Sequence, residues 1–159
     1  MKHTARILTC VVLAAAGSLS AQVRPTDTLF TVERYLDYET VASPRISPDG
    51  NSVVYARSTV DRQKDSWESA LWIMNIDGSN QRFLVKGSNP IWSPDGTRIA
   101  YVAPGEPGGA QIFIRYMDAE GATTQITHLS QAPSDLKWSP DGKSIGFAMV
   151  VPSGPEWNV

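Results

Sequence analysis

The sequence of 159 residues contains one cysteine, Cys10, and two histidines, His3 and His128. Cys10 and His3 lie in an N-terminal segment that we expect to be removed, so His128 is the one imidazole left and no thiol remains. A disulfide framework, a cysteine nucleophile and a thiolate zinc site are therefore excluded for residues 22–159. His128 lies at the end of a short extended segment over residues 125–128, and we interpret it as a surface or turn residue.

Motifs for several other kinds of chemistry are also missing from the sequence. There is no G-x-S-x-G nucleophile elbow, no glycine-rich phosphate loop and no His/Glu pair at zinc spacing. The formal net charge is −2 and basic residues do not cluster, which argues against nucleic acid as a partner. We predict no catalytic residue, no metal and no cofactor within residues 1–159.

Residues 1–21 have the order of a secretory signal peptide. Lys2 and Arg6 precede an apolar run over residues 7–17, which is too short to span a bilayer, and small residues lead to Ala21. A buried N-terminal helix is the alternative, but it does not require this order. Cys10 lies inside the apolar run, which argues against lipid attachment. We expect cleavage after Ala21, export to the periplasm or medium, and no membrane contact afterwards.

The sequence also contains an internal repeat. Ser-Pro-Asp-Gly occurs three times, and its serines, Ser47, Ser93 and Ser139, are 46 residues apart. Proline at the second position suits a type I turn, aspartate tolerates the third, and glycine supplies the left-handed residue that closes a three-residue hairpin with a bulge. Serine is placed to hydrogen-bond the turn backbone. The predicted turn residues are Ser47, Pro48, Asp49, Gly50, Ser93, Pro94, Asp95, Gly96, Ser139, Pro140, Asp141 and Gly142.

Each full repeat consists of four short extended segments. Third strands are predicted over residues 71–78 and 112–121, and fourth strands over residues 82–85 and 125–128. Residues 99–102 are apolar on both alternating faces, as expected of a strand covered on both sides. Middle strands of propeller blades lie in this environment. We therefore predict an all-β fold of four-stranded antiparallel β-propeller blades in an incomplete ring.

The domain organisation follows from the repeat. After the signal peptide, residues 22–42 form an N-terminal segment in which Val32, Tyr35 and Leu36 predict a short helix over residues 31–40. The propeller covers residues 43–159, with blades over residues 43–88 and 89–134 and a partial blade over residues 135–159. Residues 59–69 and 104–109 are predicted to be solvated loops.

Two sets of repeated side chains have both a functional and a structural interpretation. Ile46, Trp92 and Trp138 immediately precede the three turns, and we assign them to packing between blades rather than to ligand stacking. The aspartates of the turns suggest a calcium series, but calcium loops gather several oxygens within one short segment. Because these aspartates are a whole repeat apart, we assign them to the turns.

The count of strands has a further consequence. Two blades and one hairpin are too few for a ring, since propellers close with four to eight blades. An incomplete array leaves an apolar blade face uncovered. We therefore expect this chain to be the N-terminal part of a longer protein.

These motifs carry a family resemblance. Residues 31–58, the Ser-Pro-Asp-Gly repeats and the strands between them resemble the N-terminal propeller of bacterial prolyl oligopeptidase-family serine peptidases, in the acylaminoacyl-peptidase and dipeptidyl-aminopeptidase branch. The resemblance covers residues 30–159. It implies a seven- or eight-bladed propeller over a C-terminal α/β-hydrolase domain, which would contain a Ser/Asp/His triad. It also implies short peptide substrates, admitted by the propeller. The missing blades and this hydrolase domain are the expected partners.

Some features of that family are not matched, and other propellers share the repeat. The glutamate pair of the dipeptidyl-peptidase branch has no counterpart, because the glutamates here are isolated. A non-enzymatic TolB-like periplasmic scaffold is the main alternative, although residues 22–42 are too few for the α/β domain that precedes TolB propellers. A propeller fused to an amidohydrolase is a further alternative, and a downstream HxH metal motif would identify it.

Overall fold

The computed structural model describes residues 37–151, and this range contains ten β-strands and no helix. The strands are β1 (Glu39–Ile46), β2 (Ser52–Asp61), β3 (Ser66–Asn75), β4 (Arg82–Lys86), β5 (Ser88–Trp92), β6 (Arg98–Pro104), β7 (Ala110–Tyr116), β8 (Thr123–Gln125), β9 (Pro133–Trp138) and β10 (Ile145–Met149). The predicted signal peptide and the chain end after Val151 lie outside the described residues. Between residues 37 and 151 no helix is long and apolar enough to cross a membrane.

The strands form three antiparallel sheets in the order of the chain. Blade 1 is β1-β2-β3-β4, blade 2 is β5-β6-β7-β8, and the third sheet is the hairpin β9-β10. Each strand pairs with its neighbour in sequence, which is the up-and-down pattern of a propeller blade. The predicted all-β propeller fold with an open ring is confirmed.

Each complete blade has two faces, because successive side chains of a strand alternate between the two sides of the sheet. We call the face that contacts the following blade its forward face and the opposite side its rear face. In blade 1, Val54, Ala56, Leu71 and Ile73 lie on the forward face, since Val54 pairs with Ile73 and Ala56 with Leu71.

The main core lies between blades 1 and 2. Forward-face residues of blade 1 pack against Ile99, Tyr101 and Ala103, which lie on the rear face of blade 2. Leu71 and Ile99 are fully buried there. Neither side chain is covered within its own sheet, so burial of each depends on the neighbouring blade. The two blades therefore complete one another's apolar surface.

A second, smaller core lies between blade 2 and the third hairpin. Val102 and Ile112 on the forward face of blade 2 pack with Leu136 of β9, and Ile145 of β10 contacts the same cluster. The arrangement between blades 1 and 2 is thus repeated one step further along the chain. The strand over residues 99–102 was predicted to be apolar on both faces. The two cores explain this pattern, because each core covers one of the faces.

Several predicted boundaries are wrong. Residues 59–69 are not a loop, because Thr59 pairs with Glu68 and Asp61 with Ser66, leaving a tight connection at residues 62–65. Third strands end earlier than predicted, at Asn75 and Tyr116, since polar turns follow them. The loop over residues 104–109 is confirmed apart from Pro104, which ends β6.

The fourth strand of blade 2 also differs from its predicted position. β8 covers Thr123–Gln125, whereas residues 125–128 were expected. Beyond it, the buried Gln111 side chain replaces the ladder: its Oε1 accepts the Leu129 N–H at 2.8 Å, and its Nε2 donates to the Leu129 carbonyl at 2.9 Å. One side-chain amide therefore satisfies backbone groups that a longer β8 would have paired.

The predicted helix over residues 31–40 lies mostly outside the described residues. Its last two residues, Glu39 and Thr40, belong to β1, where they pair with Thr59 and Ser58. Pairing with β2 has displaced any helical preference there. β1 thus begins ahead of Ser43, where the first blade was expected to start.

Replacing Leu71 by alanine tests the core between the blades. Because Leu71 is fully buried between blades 1 and 2, Leu71→Ala should lower the free energy of unfolding by about 2–5 kcal/mol. Ile76→Ala, at an exposed position, is the control and should change it by less than about 0.5 kcal/mol. Urea unfolding followed by tryptophan fluorescence measures both, and equal effects would contradict this packing.

Candidate functional site: blade turns, interfaces and axial cleft

The three Ser-Pro-Asp-Gly turns share one backbone geometry. In the first, the Gly50 N–H donates to the Ser47 carbonyl at 2.9 Å, and the Ser47 N–H donates to the Ser52 carbonyl at 2.8 Å. Gly50 has a φ of 77°, in the left-handed region that favours glycine. Since Ser47 and Ser52 close the hairpin, its loop comprises residues 48–51 and is one residue longer than predicted.

Serine and aspartate side chains hold this longer loop. Ser47 Oγ donates to Asp49 Oδ1 at 2.5 Å and accepts the Ser52 N–H at 2.9 Å. The same carboxylate oxygen accepts the Asn51 N–H at 3.1 Å. Equivalent bonds join Ser93, Asp95 and Thr97, and Ser139, Asp141 and Lys143.

These hydrogen bonds favour the charged form of the turn carboxylates. Donation by Ser47, Ser93 and Ser139 is the largest cause that lowers the pKa of Asp49, Asp95 and Asp141, respectively, and the backbone N–H two residues later adds to it. Each aspartate is therefore an ionised acceptor within its own turn. No two of these carboxylates share a site.

The tryptophans before the turns connect successive blades. Trp92 Nε1 donates to the Arg45 carbonyl at 3.1 Å, and Trp138 Nε1 donates to the Ile91 carbonyl at 3.3 Å. Each indole therefore reaches the first strand of the preceding blade. Ile46 occupies the same repeat position in blade 1, where no described strand packs over it as blade 1 does over Trp92, and is 61% exposed.

A repeated feature that the sequence reasoning missed lies three residues ahead of these positions. Ser43, Asn89 and Asp135 each have a φ of 51°, and register shifts interrupt the pairing of β1 and β5 beside Ser43 and Asn89. A left-handed residue in a strand produces a bulge that redirects side chains. Ser43, Asn89 and Asp135 are 46 residues apart, like the turns, but they differ in residue type. No sequence motif therefore indicates their left-handed conformation.

These three residues come together with their neighbours at an axial cleft. Residues of β1, β5 and β9 line a concavity of about 300 Å³, in which Ser43 Oγ donates a hydrogen bond to Asn89 Oδ1 at 3.5 Å. Arg45, Ile91 and Lys137 also line it. The cleft is thus lined mostly by polar residues, with side chains of both signs of charge.

The described residues show no cluster for a metal ion, and their carboxyl groups with shifted pKa values are all held in the charged form. Within residues 37–151, no three His, Cys, Asp or Glu side chains are placed to hold a metal ion. Every carboxyl group in this range with a resolved shift has its pKa lowered by donors nearby: Glu39, Asp49, Asp61, Glu68, Asp77, Asp95 and Asp141. A general acid needs a pKa near the working pH, which is the opposite direction.

Sequence comparison finds peptidases among the relatives of this chain, although no family model matches it. The uncharacterized peptidase YuxL of Bacillus subtilis is 33% identical over 131 residues, which are 79% of this chain and 20% of that protein. Dipeptidyl-peptidase 5 of Porphyromonas endodontalis is 28% identical over 127 residues, 77% of this chain and 18% of that protein. The chain therefore spans about a fifth of the length of these relatives.

A propeller protein that is not named as a peptidase also matches. The Tol-Pal system protein TolB of Ruthia magnifica is 29% identical over 92 residues, which cover 55% of this chain and 22% of that protein. This match covers less of the chain than the two peptidase matches do. The predicted resemblance to peptidase propellers, shared in part with TolB, is confirmed.

Solved structures show the same fold. The β-propeller domain of the trilobed protease from Pyrococcus furiosus has a TM-score of 0.59 at 21% identity, covering 69% of this chain and 33% of that one. Acylaminoacyl peptidase from Pyrococcus horikoshii has a TM-score of 0.60 at 20% identity, covering 70% and 17%. At such identities the likeness establishes propeller blades alone.

Removing a turn serine should raise the pKa of the aspartate with which it forms a hydrogen bond. In Ser93→Ala the pKa of Asp95 should rise toward its ordinary range, because the main hydrogen bond to the carboxylate is lost. Carbon-detected NMR titration measures this, with Ser130→Ala, outside the turns, as the control. Since folding lowers this pKa, its stabilising contribution is present above about pH 4 and is lost as the pH falls further. An unchanged titration in Ser93→Ala would refute the assignment.

Proposed function

We propose that this chain is the N-terminal part of the propeller of an exported serine peptidase of the prolyl oligopeptidase family. The whole protein would hydrolyse short peptides at a C-terminal α/β-hydrolase domain outside this chain. The propeller would restrict access to that domain. The catalytic residues would all lie outside residues 1–159.

One observation carries the proposal more than any other. A protein that is named a peptidase matches 79% of this chain at 33% identity, yet the matched part is only 20% of that relative. A propeller segment is thus one portion of a much longer peptidase there. Dipeptidyl-peptidase 5 repeats this relation, with 18% of its length matched.

The chemistry would be that of a serine hydrolase. A serine attacks the peptide carbonyl, a histidine takes and returns the proton, and backbone N–H groups stabilise the tetrahedral oxyanion. The blades described above would contribute a rigid wall, because their faces are packed and their turns are cross-linked by Ser–Asp hydrogen bonds. Such a wall would exclude large folded proteins from the catalytic domain.

Export is part of the same proposal. Lys2 and Arg6, the apolar run over residues 7–17 and the small residues before Ala21 support a signal peptide. One relative is a Tol-Pal system protein, which is consistent with an exported protein. After cleavage, residues 22–159 would contain no cysteine and would need no disulfide in the periplasm or medium.

A TolB-like binding scaffold is the second candidate function, supported by the TolB match over 92 residues. The reading frame beyond Val159 distinguishes the two candidates. A G-x-S-x-G elbow in the continuing frame supports the peptidase, whereas further blades with no hydrolase domain support the scaffold.

The peptidase proposal predicts activity in the longer protein alone. The protein encoded by the complete reading frame should hydrolyse acyl- or dipeptidyl-anilide substrates, and a fluorophosphonate should label it once. Replacing the elbow serine by alanine should abolish both signals, while this 159-residue chain should show neither. Equal activity of this chain would contradict the proposal, as would an inactive longer protein without a serine elbow.

A further inference from the structure

Two cations occur at one repeated position beside the turns. Arg45, Ile91 and Lys137 each stand two residues ahead of a turn serine, in β1, β5 and β9 respectively. All three line the axial cleft, and all three also line a second concavity of about 650 Å³ that adjoins it on the side of the turns. We call this second concavity the turn-end pocket. The first strands thus bring Arg45 and Lys137, which are far apart in sequence, to one pocket.

The other side chains of the turn-end pocket are mostly apolar. Trp92 and Trp138 line it together with Ile46, which is 61% exposed, and with Pro48 and Pro94 of the first two turns. Both tryptophans are half-buried, so their packing between blades leaves part of each ring accessible. Their indole N–H groups already donate to carbonyls of the preceding blade. The rings therefore offer apolar surface to the pocket.

The two cations of the turn-end pocket lack a compensating charge. Among the described residues, no aspartate or glutamate lines this pocket. Arg45 and Lys137 are exposed, and neither makes an ion pair within residues 37–151. Arg45 Nη1 donates to the Pro44 carbonyl at 3.1 Å, which does not neutralise its charge. Asp135 lines the adjoining axial cleft without pairing with Lys137.

The aspartates of the turns do not supply that charge. Asp49 follows Arg45 closely in the sequence, and Asp141 follows Lys137. Each turn carboxylate accepts hydrogen bonds from its own serine and from the backbone N–H two residues later. None of these aspartates lines the turn-end pocket. The hydrogen bonds of the turns thus hold the carboxylates in place and leave the two cations available to a ligand.

We infer that the turn-end pocket binds the carboxylate of a short peptide through Arg45 and Lys137, and that Ile46 and the two tryptophans contact an apolar residue beside that carboxylate. The inference rests on the proposed function, in which the propeller admits short peptides. Charge complementarity identifies the occupant, because guanidinium and ammonium groups donate strong hydrogen bonds to carboxylate oxygens. A volume of about 650 Å³ is also in the usual range for a small-ligand site.

Such a pocket would select peptides by charge. A neutral peptide would cover the two cations without pairing them, which is unfavourable because a charged group loses its water without gaining a partner. A peptide carboxylate would pair with both cations. It can belong to the carboxyl terminus or to an aspartate or glutamate side chain, and the two sources are separable by experiment.

The indole N–H signals of the tryptophans report where a peptide binds. N-acetyl-Ala-Ala-Phe-Ala with a free carboxyl terminus, titrated into the isotope-labelled chain, should shift the NMR signals of Trp92 and Trp138. Trp67 lies at the end of β3 away from the turns and is the internal control. The amidated form of the same peptide should bind at least about tenfold more weakly, since it lacks the charged acceptor. Equal binding of the acid and the amide would overturn the inference.

Two further probes define the ligand. N-acetyl-Ala-Glu-Phe-Ala amide has a side-chain carboxylate and no terminal one, so its binding relative to the first peptide shows which source of carboxylate the pocket prefers. Preference for either one supports the inference, whereas failure of both to bind contradicts it. Inorganic phosphate has no apolar group and should bind at least about tenfold more weakly than the preferred peptide. Equal binding of phosphate would refute a peptide site.

Substitution of the cations tests their role. Arg45→Gln and Lys137→Gln should each weaken binding of the preferred peptide by about tenfold and leave binding of the amidated neutral peptide nearly unchanged. Both side chains are exposed, so the melting temperature should stay the same. Arg82→Gln is the matched control, because Arg82 is also exposed and lies on β4 outside the pocket. An equal loss in Arg82→Gln would indicate general charge attraction and would overturn the inference, as would full binding by the double variant of Arg45 and Lys137.

Failure of this inference is distinguishable from failure of the proposed function. Binding of a peptide carboxylate through Arg45 and Lys137, with a longer protein that has no peptidase activity, would support the pocket and refute the peptidase. An active longer peptidase, with a chain that does not distinguish the acid from the amide, would refute the pocket and support the peptidase.

Discussion

A sheet that is apolar on both sides has to be covered on both sides, and this constraint organises the whole structure. Leu71 and Ile99 are buried because each lies against the neighbouring blade, not because its own sheet encloses it. Stability is then shared between adjacent blades, as in other repeat proteins.

The turns and bulges place the faces where this packing is possible. Each Ser-Pro-Asp-Gly hairpin is closed by a Ser–Asp hydrogen bond, and the tryptophan before the second and third turns reaches back to the preceding blade. The serine and aspartate side chains, which are the first candidates for a catalytic role, are therefore engaged in hydrogen bonds that hold the turns. Lowered carboxyl pKa values have the same origin, which is why they point to turns and not to an acid–base site.

Features that repeat in both position and residue type were predictable from sequence. Ser-Pro-Asp-Gly spacing predicted the hairpins, and two-sided apolar strands predicted stacked blades. The left-handed conformation of Ser43, Asn89 and Asp135 was not predicted, because these positions repeat in spacing but differ in residue type. The hydrogen bonds of Gln111 were not predicted for another reason. Their partner, Leu129, is distant in sequence, and no local pattern encodes that pairing. A helical pattern near residue 40 likewise gave way to strand pairing, a tertiary effect that local spacing does not report.

Native-state hydrogen exchange measures the shared stability of the blades most directly. Amides of Val54 and Leu71 in blade 1 and of Ile99 and Ile112 in blade 2 should exchange with one common free energy of opening, since neither blade keeps its core without the other. Amides of β8 and of the hairpin β9-β10 should open more easily. Two separate free energies of opening for blades 1 and 2, with that of blade 2 unaffected by Leu71→Ala in blade 1, would contradict the account.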